Sequence, residues 1–220
     1  MANVVITGSN RGIGLEMCRQ LSVRGDKVTA ACRQASDALR ALALDIYEGF
    51  DVTKQASLDG LRDHLADVSV DLLINNAGIL RRETLSQLNI ESIREQFEVN
   101  ALGPLRVTAA LRDRLASPSK VAIITSRMGS IADNTSGSRY GYRMSKAAVN
   151  MAGMSLSQDL RGAGVAVAIL HPGFVQTDMT GGAGDVPPEV SARGLIARID
   201  ELTLTTSGTF WHAQGQVLPW

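Results

Sequence analysis

Tyr142 and Lys146 stand one helical turn apart in the stretch Tyr140-Gly141-Tyr142-Arg143-Met144-Ser145-Lys146-Ala147-Ala148-Val149-Asn150. The stretch has no Pro and is rich in Ala and Met, so it reads as the start of a helix with Tyr142 and Lys146 on one face. A phenol has a pKa of about 10 in water and is a poor proton donor or base near neutrality. An ammonium one turn away favours the phenolate and draws that value toward the working range. Tyr140 has no such partner, because Met144 occupies the equivalent position. Tyr-x-x-x-Lys alone is most often a solvated surface pair; its weight here comes from the motifs on its N-terminal side.

Near the N-terminus, Asn3-Val4-Val5-Ile6-Thr7 is a short apolar run that opens into Gly8, Ser9, Asn10, Arg11, Gly12, Ile13 and Gly14. Gly14, Met17, Cys18 and Leu21 then recur at helical spacing, and Gly25 comes next as a C-terminal cap. In a strand–glycine turn–helix unit, small residues admit a pyrophosphate while the helix N-terminus offers free N–H groups and a positive dipole end. The spacing G-x3-G-x-G departs from the commoner G-x-G-x-x-G, but the physics is the same, and the turn is expected to bind a dinucleotide. Lys27-Val28-Thr29-Ala30-Ala31-Cys32-Arg33 ends the second strand without the Asp or Glu that would bond a ribose 2′-hydroxyl. Arg33 and Arg11 suit a 2′-phosphate instead, through paired charged hydrogen bonds, so NADP(H) is the expected cofactor.

These groups need a scaffold, and the chain alternates apolar runs with helical patterns. Strands are predicted at 3–7, 27–32, 46–50, 70–75, 120–125 and 164–170, with a weaker one near 209–217. Helices are predicted near 12–24, 36–43, 54–66, 89–115, 140–161 and 188–203. Such alternation argues for an α/β fold: a doubly wound Rossmann domain with a parallel sheet of about seven strands flanked by helices. No linker or repeat divides the chain, so residues 1–220 are expected to form one domain.

Composition fits this reading. Hydrophobic residues make up 45% of 220, enough for one substantial core. Lys and Arg number 22 against 22 Asp and Glu, so no global field favours nucleic acid or anionic lipid. Cys18 and Cys32 fall in a helix and a strand with no C-x-x-C and read as buried thiols of a reducing compartment. No run approaches the roughly 18 apolar residues of a membrane helix and no signal-peptide pattern opens the chain, so a cytoplasmic location is expected. His64, His171 and His212 are scattered, and no Cys/His/carboxylate cluster suggests a metal.

Thr7-Gly8-x3-Gly12-x-Gly14, Asn75-Asn76-Ala77-Gly78, Asn100, Ser126 and Tyr142-x3-Lys146, in that order, resemble the classical short-chain dehydrogenase/reductase family along essentially the whole chain. The stretch Ser126–Asn150 and the run Ser207-Gly208-Thr209-Phe210 through Leu218-Pro219-Trp220 look most like the branch of C-factor and the sniffer carbonyl reductases. The resemblance implies that Tyr142 protonates a carbonyl oxygen while the nicotinamide delivers hydride to its carbon. Lys146 then lowers the tyrosine and bonds the nicotinamide ribose, Ser126 orients the substrate oxygen, and Asn100 holds a proton-relay water. Asn76, Ala77 and Gly78, the pair Asp51-Val52, and Pro172, Gly173, Val175 and Thr177 of His171-Pro172-Gly173-x3-Thr177 are implied to meet the cofactor. Ser126 lies 16 residues before Tyr142, three more than the commonest family spacing, which leaves Ser130 as a competitor. The end of a strand is the more rigid place for a hydroxyl and favours Ser126.

The segment after Thr177 is short and rich in Gly, which implies an open pocket with weak substrate discrimination. Ala147, Met151, Met154 and Gln158 share a helix face that serves either a homodimer or homotetramer interface or packing on the sheet. The expected partner is a small carbonyl or alcohol compound, with no nucleic acid and no membrane. A second reading is a C-factor-like signalling protein in which nucleotide binding matters more than turnover. A lipid hydrolase is a distant third, for no G-x-S-x-G elbow is present.

Overall fold

The computed structural model describes residues 1–220. Seven strands form one sheet: β1 (Asn3–Thr7), β2 (Lys27–Cys32), β3 (Asp45–Glu48), β4 (Leu72–Asn75), β5 (Lys120–Ile124), β6 (Ala166–His171) and β7 (Phe210–His212). Their order is β3-β2-β1-β4-β5-β6-β7, and every pairing is parallel. The sequence order reverses between β1 and β4, so a crevice opens there at the carboxyl ends of the strands.

Nearly every residue of β1, β2, β4, β5 and β6 is buried, as a sheet covered on both faces requires. Alternation still decides which face each residue enters. Val4, Ile6, Leu72, Ile74, Ala122, Ile124 and Leu170 join one core with α1 (Gly12–Val23) and α7 (Pro188–Glu201). Val5, Leu73, Val121, Ile123 and Val167 join the other, with α3 (Gln55–His64), α5 (Gly103–Ala110) and α6 (Tyr140–Asp159). Gly153 of α6 lets that helix lie close on the sheet, since a Cβ there would stand 2.8 Å from Ile169.

Three elements differ from expectation. The segment 89–115 is not one helix: α4 (Ile90–Phe97) runs into a π-helical turn at Glu98–Leu102, then α5, then a 3-10 turn at Arg112–Arg114. Pro104 starts α5 afresh, and a Cβ on Gly103 would lie 2.9 Å from Val52, so α5 enters against the loop after β3. The helix expected near 36–43 is the single turn α2 (Asp37–Arg40), capped by the Ser36 hydroxyl. The last strand shrinks to three residues because the chain turns back through an antiparallel bridge between Trp211 and Val217.

Candidate active site

The crevice between β1 and β4 is part of a cleft of about 730 Å³. Its floor is the glycine turn. Gly8 adopts φ +66°, and a Cβ there would press within 2.7 Å of the Ala77 Cα; a Cβ on Gly14 would stand 2.2 Å from the Gly8 carbonyl oxygen. With no side chain in the way, the backbone N–H groups opening α1 are available to an anion, and the cradle fits a dinucleotide pyrophosphate. The Thr7 hydroxyl accepts hydrogen bonds from the Asn76 and Ala77 N–H groups at 3.1 Å each. Asn76 Nδ2 donates to the carbonyls of Thr7, 3.2 Å, and Gly8, 2.9 Å, so four hydrogen bonds tie the loops after β1 and β4 together.

Asn10, Arg11, Gly12, Ile13, Ala77 and Gly78 line the cleft beside Asn76. Ser9 does not: it is fully buried, and its hydroxyl donates to the Ala31 carbonyl because the turn presents backbone to the cleft and side chain to the core.

At the β2 end, Cys32, Arg33, Asp51, Val52 and Thr53 form the wall. No carboxylate pairs with the exposed Arg33 guanidinium, whereas Arg11 reaches across the cleft mouth to Asp178 at 3.1 Å. Burial alone would raise the Asp51 carboxyl; hydrogen bonds from the Thr53 N–H, 2.9 Å, and hydroxyl, 2.8 Å, with the Arg33 charge, outweigh it and hold the group below its ordinary range.

At the inner end, Gly78 leads to the candidate catalytic groups: a Cβ there would lie 3.3 Å from Asn100 Oδ1 and 3.8 Å from Lys146 Nζ. Lys146 Nζ stands 5.8 Å from the centroid of the Tyr142 ring and donates to the Ile124 carbonyl at 2.9 Å. Burial pushes the ammonium down to about 8. Burial also raises the Tyr142 phenol, while the Ser126 hydroxyl and the Arg139 charge act in the opposite sense. The lysine therefore does not dominate the phenol as expected from spacing alone. The same removal of water that would strengthen their interaction weakens the lysine's hold on its own proton.

Ser126 lies two residues past the end of β5 and accepts from the Met128 N–H at 3.1 Å, capping a 3-10 turn over Arg127–Gly129. Ser130 is turned to its own C-terminal loop, accepting from the Asp133 N–H, whereas the Ser126 hydroxyl acts to lower the Tyr142 phenol. Asn100 lies in the π-helical turn. Its amide exchanges two hydrogen bonds with the Ile79 backbone, at 2.8 and 2.9 Å, and donates to Ser145 of α6 at 3.0 Å. With the side chain so engaged, a relay water would have to meet the main chain of this turn.

Beyond β6, Thr177 lines the cleft and packs over Gly12, whose Cβ would be 3.2 Å from its methyl. Pro172, Gly173 and Val175 lie outside the cleft wall; Val175 is buried because the chain folds back there through a bridge to Val186. His171 is pushed down to about 3 by burial, with His212 and Arg127 adding to the shift, and is uncharged near neutrality. Its ring meets His212 edge-on at 5.0 Å, in keeping with a structural role. Ile79, Val99 and Met179 also line the cleft and carry no sequence signal; Thr53, two residues after Asp51, has the pattern of an Asx turn.

The model of the short chain dehydrogenase family matches residues 2–186. The chain is 43% identical over 226 residues, covering 100% of both proteins, to the 1-hydroxy-2-glutathionyl-2-methyl-3-butene dehydrogenase of Rhodococcus sp. (strain AD45). It is 48% identical over 154 residues to the C-signal of Myxococcus xanthus, covering 69% of this chain and 93% of that one. Among solved structures, NADPH-bound carbonyl reductase from chicken fatty liver superimposes with a TM-score of 0.91 at 30% identity, over 100% of this chain and 99% of its own. With the glycine cradle at the β1–β4 switch point and a phenol, an ammonium and a hydroxyl gathered behind Gly78, these matches make the chain a member of the short-chain dehydrogenase/reductase family of oxidoreductases.

Proposed function

We propose that the protein is an NADP(H)-dependent oxidoreductase that interconverts a carbonyl compound and its alcohol. The observation that carries this is the gathering of Ser126, Tyr142 and Lys146 behind Gly78, which lines a cleft whose outer end presents Arg33 and no acidic side chain on β2. A bound nicotinamide would supply hydride to the carbonyl carbon. Tyr142 would give its proton to the carbonyl oxygen, with the Ser126 hydroxyl bonding the same oxygen and holding it in line. Lys146, buried beside the ring, would return the proton and stabilise the phenolate left behind. Arg33 and Arg11 would hold the 2′-phosphate, and Thr177 would close over the glycine turn.

The relative from Rhodococcus carries in its name a substrate with a bulky thioether substituent. The segment after Thr177 leaves room for such a group: a 3-10 turn over Asp178–Thr180 leads to a glycine-rich tip at Gly181, Gly182 and Gly184. The buried, unpaired Cys18 and Cys32 suit a cytoplasmic protein, and no helix is long and apolar enough to cross a membrane. Met151 and Met154 are exposed on α6, as a homodimer face would require, which light scattering checks.

NADPH and NADH titrations test the reading. Trp211 and Trp220 both lie outside the cleft, so the nucleotide's own fluorescence is the better signal. NADPH is expected to bind more tightly. Tyr142→Phe is expected to keep NADPH affinity and lose about 10²–10⁴ in turnover of aldehydes and ketones. Equal turnover by the variant sinks the reductase assignment. The kinship with the C-signal supports a second reading, signalling through the nucleotide-bound form. A biological effect that survives Tyr142→Phe would favour it.

A further inference from the structure

Helix α6 carries Tyr142 in its first turn, yet it has no cap of its own. The residue at its cap position, Arg139, has no side-chain acceptor and stands in the left-handed region at φ +50°, directly after Ser138 at φ +53°. The acceptor comes from elsewhere. Glu83, in the loop after β4, is only 2% exposed and pairs with no cation; nearby Arg81 pairs with Glu95 instead, at 3.4 Å. Glu83 Oε2 accepts the Gly141 N–H at 3.3 Å, the position a cap side chain would serve, from 58 residues away in sequence. Its other oxygen accepts from the Ser92 hydroxyl and from Gln96 Nε2, both at 2.7 Å and both from α4. The Glu83 carbonyl takes the Arg139 N–H at 2.8 Å.

Gln96, fully buried, also accepts the Arg81 N–H at 2.9 Å. The contact is tight enough to exclude any side chain at Gly141, whose Cβ would fall 2.4 Å from Gln96 Nε2. A buried carboxylate with only neutral donors is costly unless something compensates; the positive end of a 20-residue helix dipole does so here.

We propose that Glu83 is a positioning residue for the reaction: its buried carboxylate pins the first turn of α6 to α4 and to the loop after β4, and so fixes where the Tyr142 hydroxyl stands. The inference rests on the reductase reading for its kinetic consequence, but not for its structural one. Glu83→Gln keeps the shape of the side chain, removes the charge, and turns one acceptor into a donor facing other donors.

The first arm needs no substrate: amide hydrogen exchange at Gly141 is expected to speed about ten-fold in Glu83→Gln. Unchanged exchange overturns the proposal. The second arm tracks NADPH oxidation with 4-nitrobenzaldehyde. Here kcat is expected to fall about ten-fold or more, because small displacements of a reacting group are expensive, while NADPH affinity and site number stay within about two-fold.

The alkaline limb of kcat is expected to stay in place, because Glu83 is not among the groups that shift the Tyr142 phenol. The groups facing Tyr142, namely Ser126 at the end of β5, Lys146 on its own helix and Arg139 before it, are all retained. A kcat equal to wild type, or a fall matched by lost NADPH sites, overturns the positioning role. If Glu83→Gln fails to fold, Ser92→Ala removes one donor to the same carboxylate and is expected to show the same signs, smaller; no kcat change there overturns it. A wild type that binds NADPH and reduces no carbonyl sinks the reductase reading alone, and the exchange arm then decides for Glu83.

Discussion

Lys146 is a buried charge that the fold carries at a cost. Its ammonium has a single carbonyl acceptor, from Ile124, and burial holds it down to about 8, below the ordinary lysine value. Below pH 8 the folded protein must keep a buried cation, which destabilises it relative to the unfolded chain. Between about 8 and the ordinary lysine value the unfolded chain binds more protons than the folded one, so stability from this group rises with pH. Lys146→Met is therefore expected to melt higher than wild type at pH 7 in the absence of nucleotide, with the advantage shrinking by pH 10. Thermal melts at the two values check this, and a constant difference would refute it. The sequence pointed to Tyr142 and Lys146 through their spacing together with the motifs on their N-terminal side. That the phenol is raised, that Ser9 faces the core, and that Glu83 caps a distant helix depend on tertiary burial, which no local pattern encodes.

The elements act as rigid fingers that bring the site together, and their close approaches are where substitution is least tolerated. The 3-10 turn after Ser126 touches α6 so closely that a Cβ on Gly129 would stand 2.6 Å from the Lys146 carbonyl carbon. Gly129→Ala is expected to push that turn off α6 and separate Ser126 from Tyr142. Turnover should fall about 10²-fold with NADPH affinity retained, since the glycine cradle lies on other elements. Steady-state kinetics beside a nucleotide titration separates the two; loss of both, in step, would refute it.

Strand positions are legible to within a few residues because β-runs are apolar on both faces and bounded by turns. The break at Glu98–Leu102 is less so, although Gly103-Pro104 carries a signal. A π-helical turn arises from what the helix packs against, here the insertion of Asn100 between Ile79 and Ser145.

At the scale of the whole molecule, both cores meet at a sheet whose carboxyl edge is the cleft, so ligand and fold are linked. NADPH at 100 times its dissociation constant is expected to stabilise the native state by about 2.7 kcal/mol and raise the melting temperature accordingly. Arg33→Ala is expected to remove most of the NADPH-over-NADH difference in that shift. An identical shift for both nucleotides in wild type would refute the 2′-phosphate assignment to Arg33. Family membership and sheet topology are legible from motif order, since the glycine turn, Asn-Asn-Ala-Gly and Tyr-x-x-x-Lys each come after a strand in the expected sequence.

The Arg11–Asp178 contact across the cleft mouth bears on time rather than affinity. Its two side chains are 64% and 74% exposed, so the link is weak in equilibrium terms and readily screened by salt. It nevertheless spans the opening that a nucleotide must leave by. The residence time of NADPH is therefore expected to shorten as ionic strength rises, and stopped-flow displacement measures it. Asp178→Asn, which leaves both arginines in place, should abolish the part of that salt dependence that belongs to the latch and leave the part due to the phosphates.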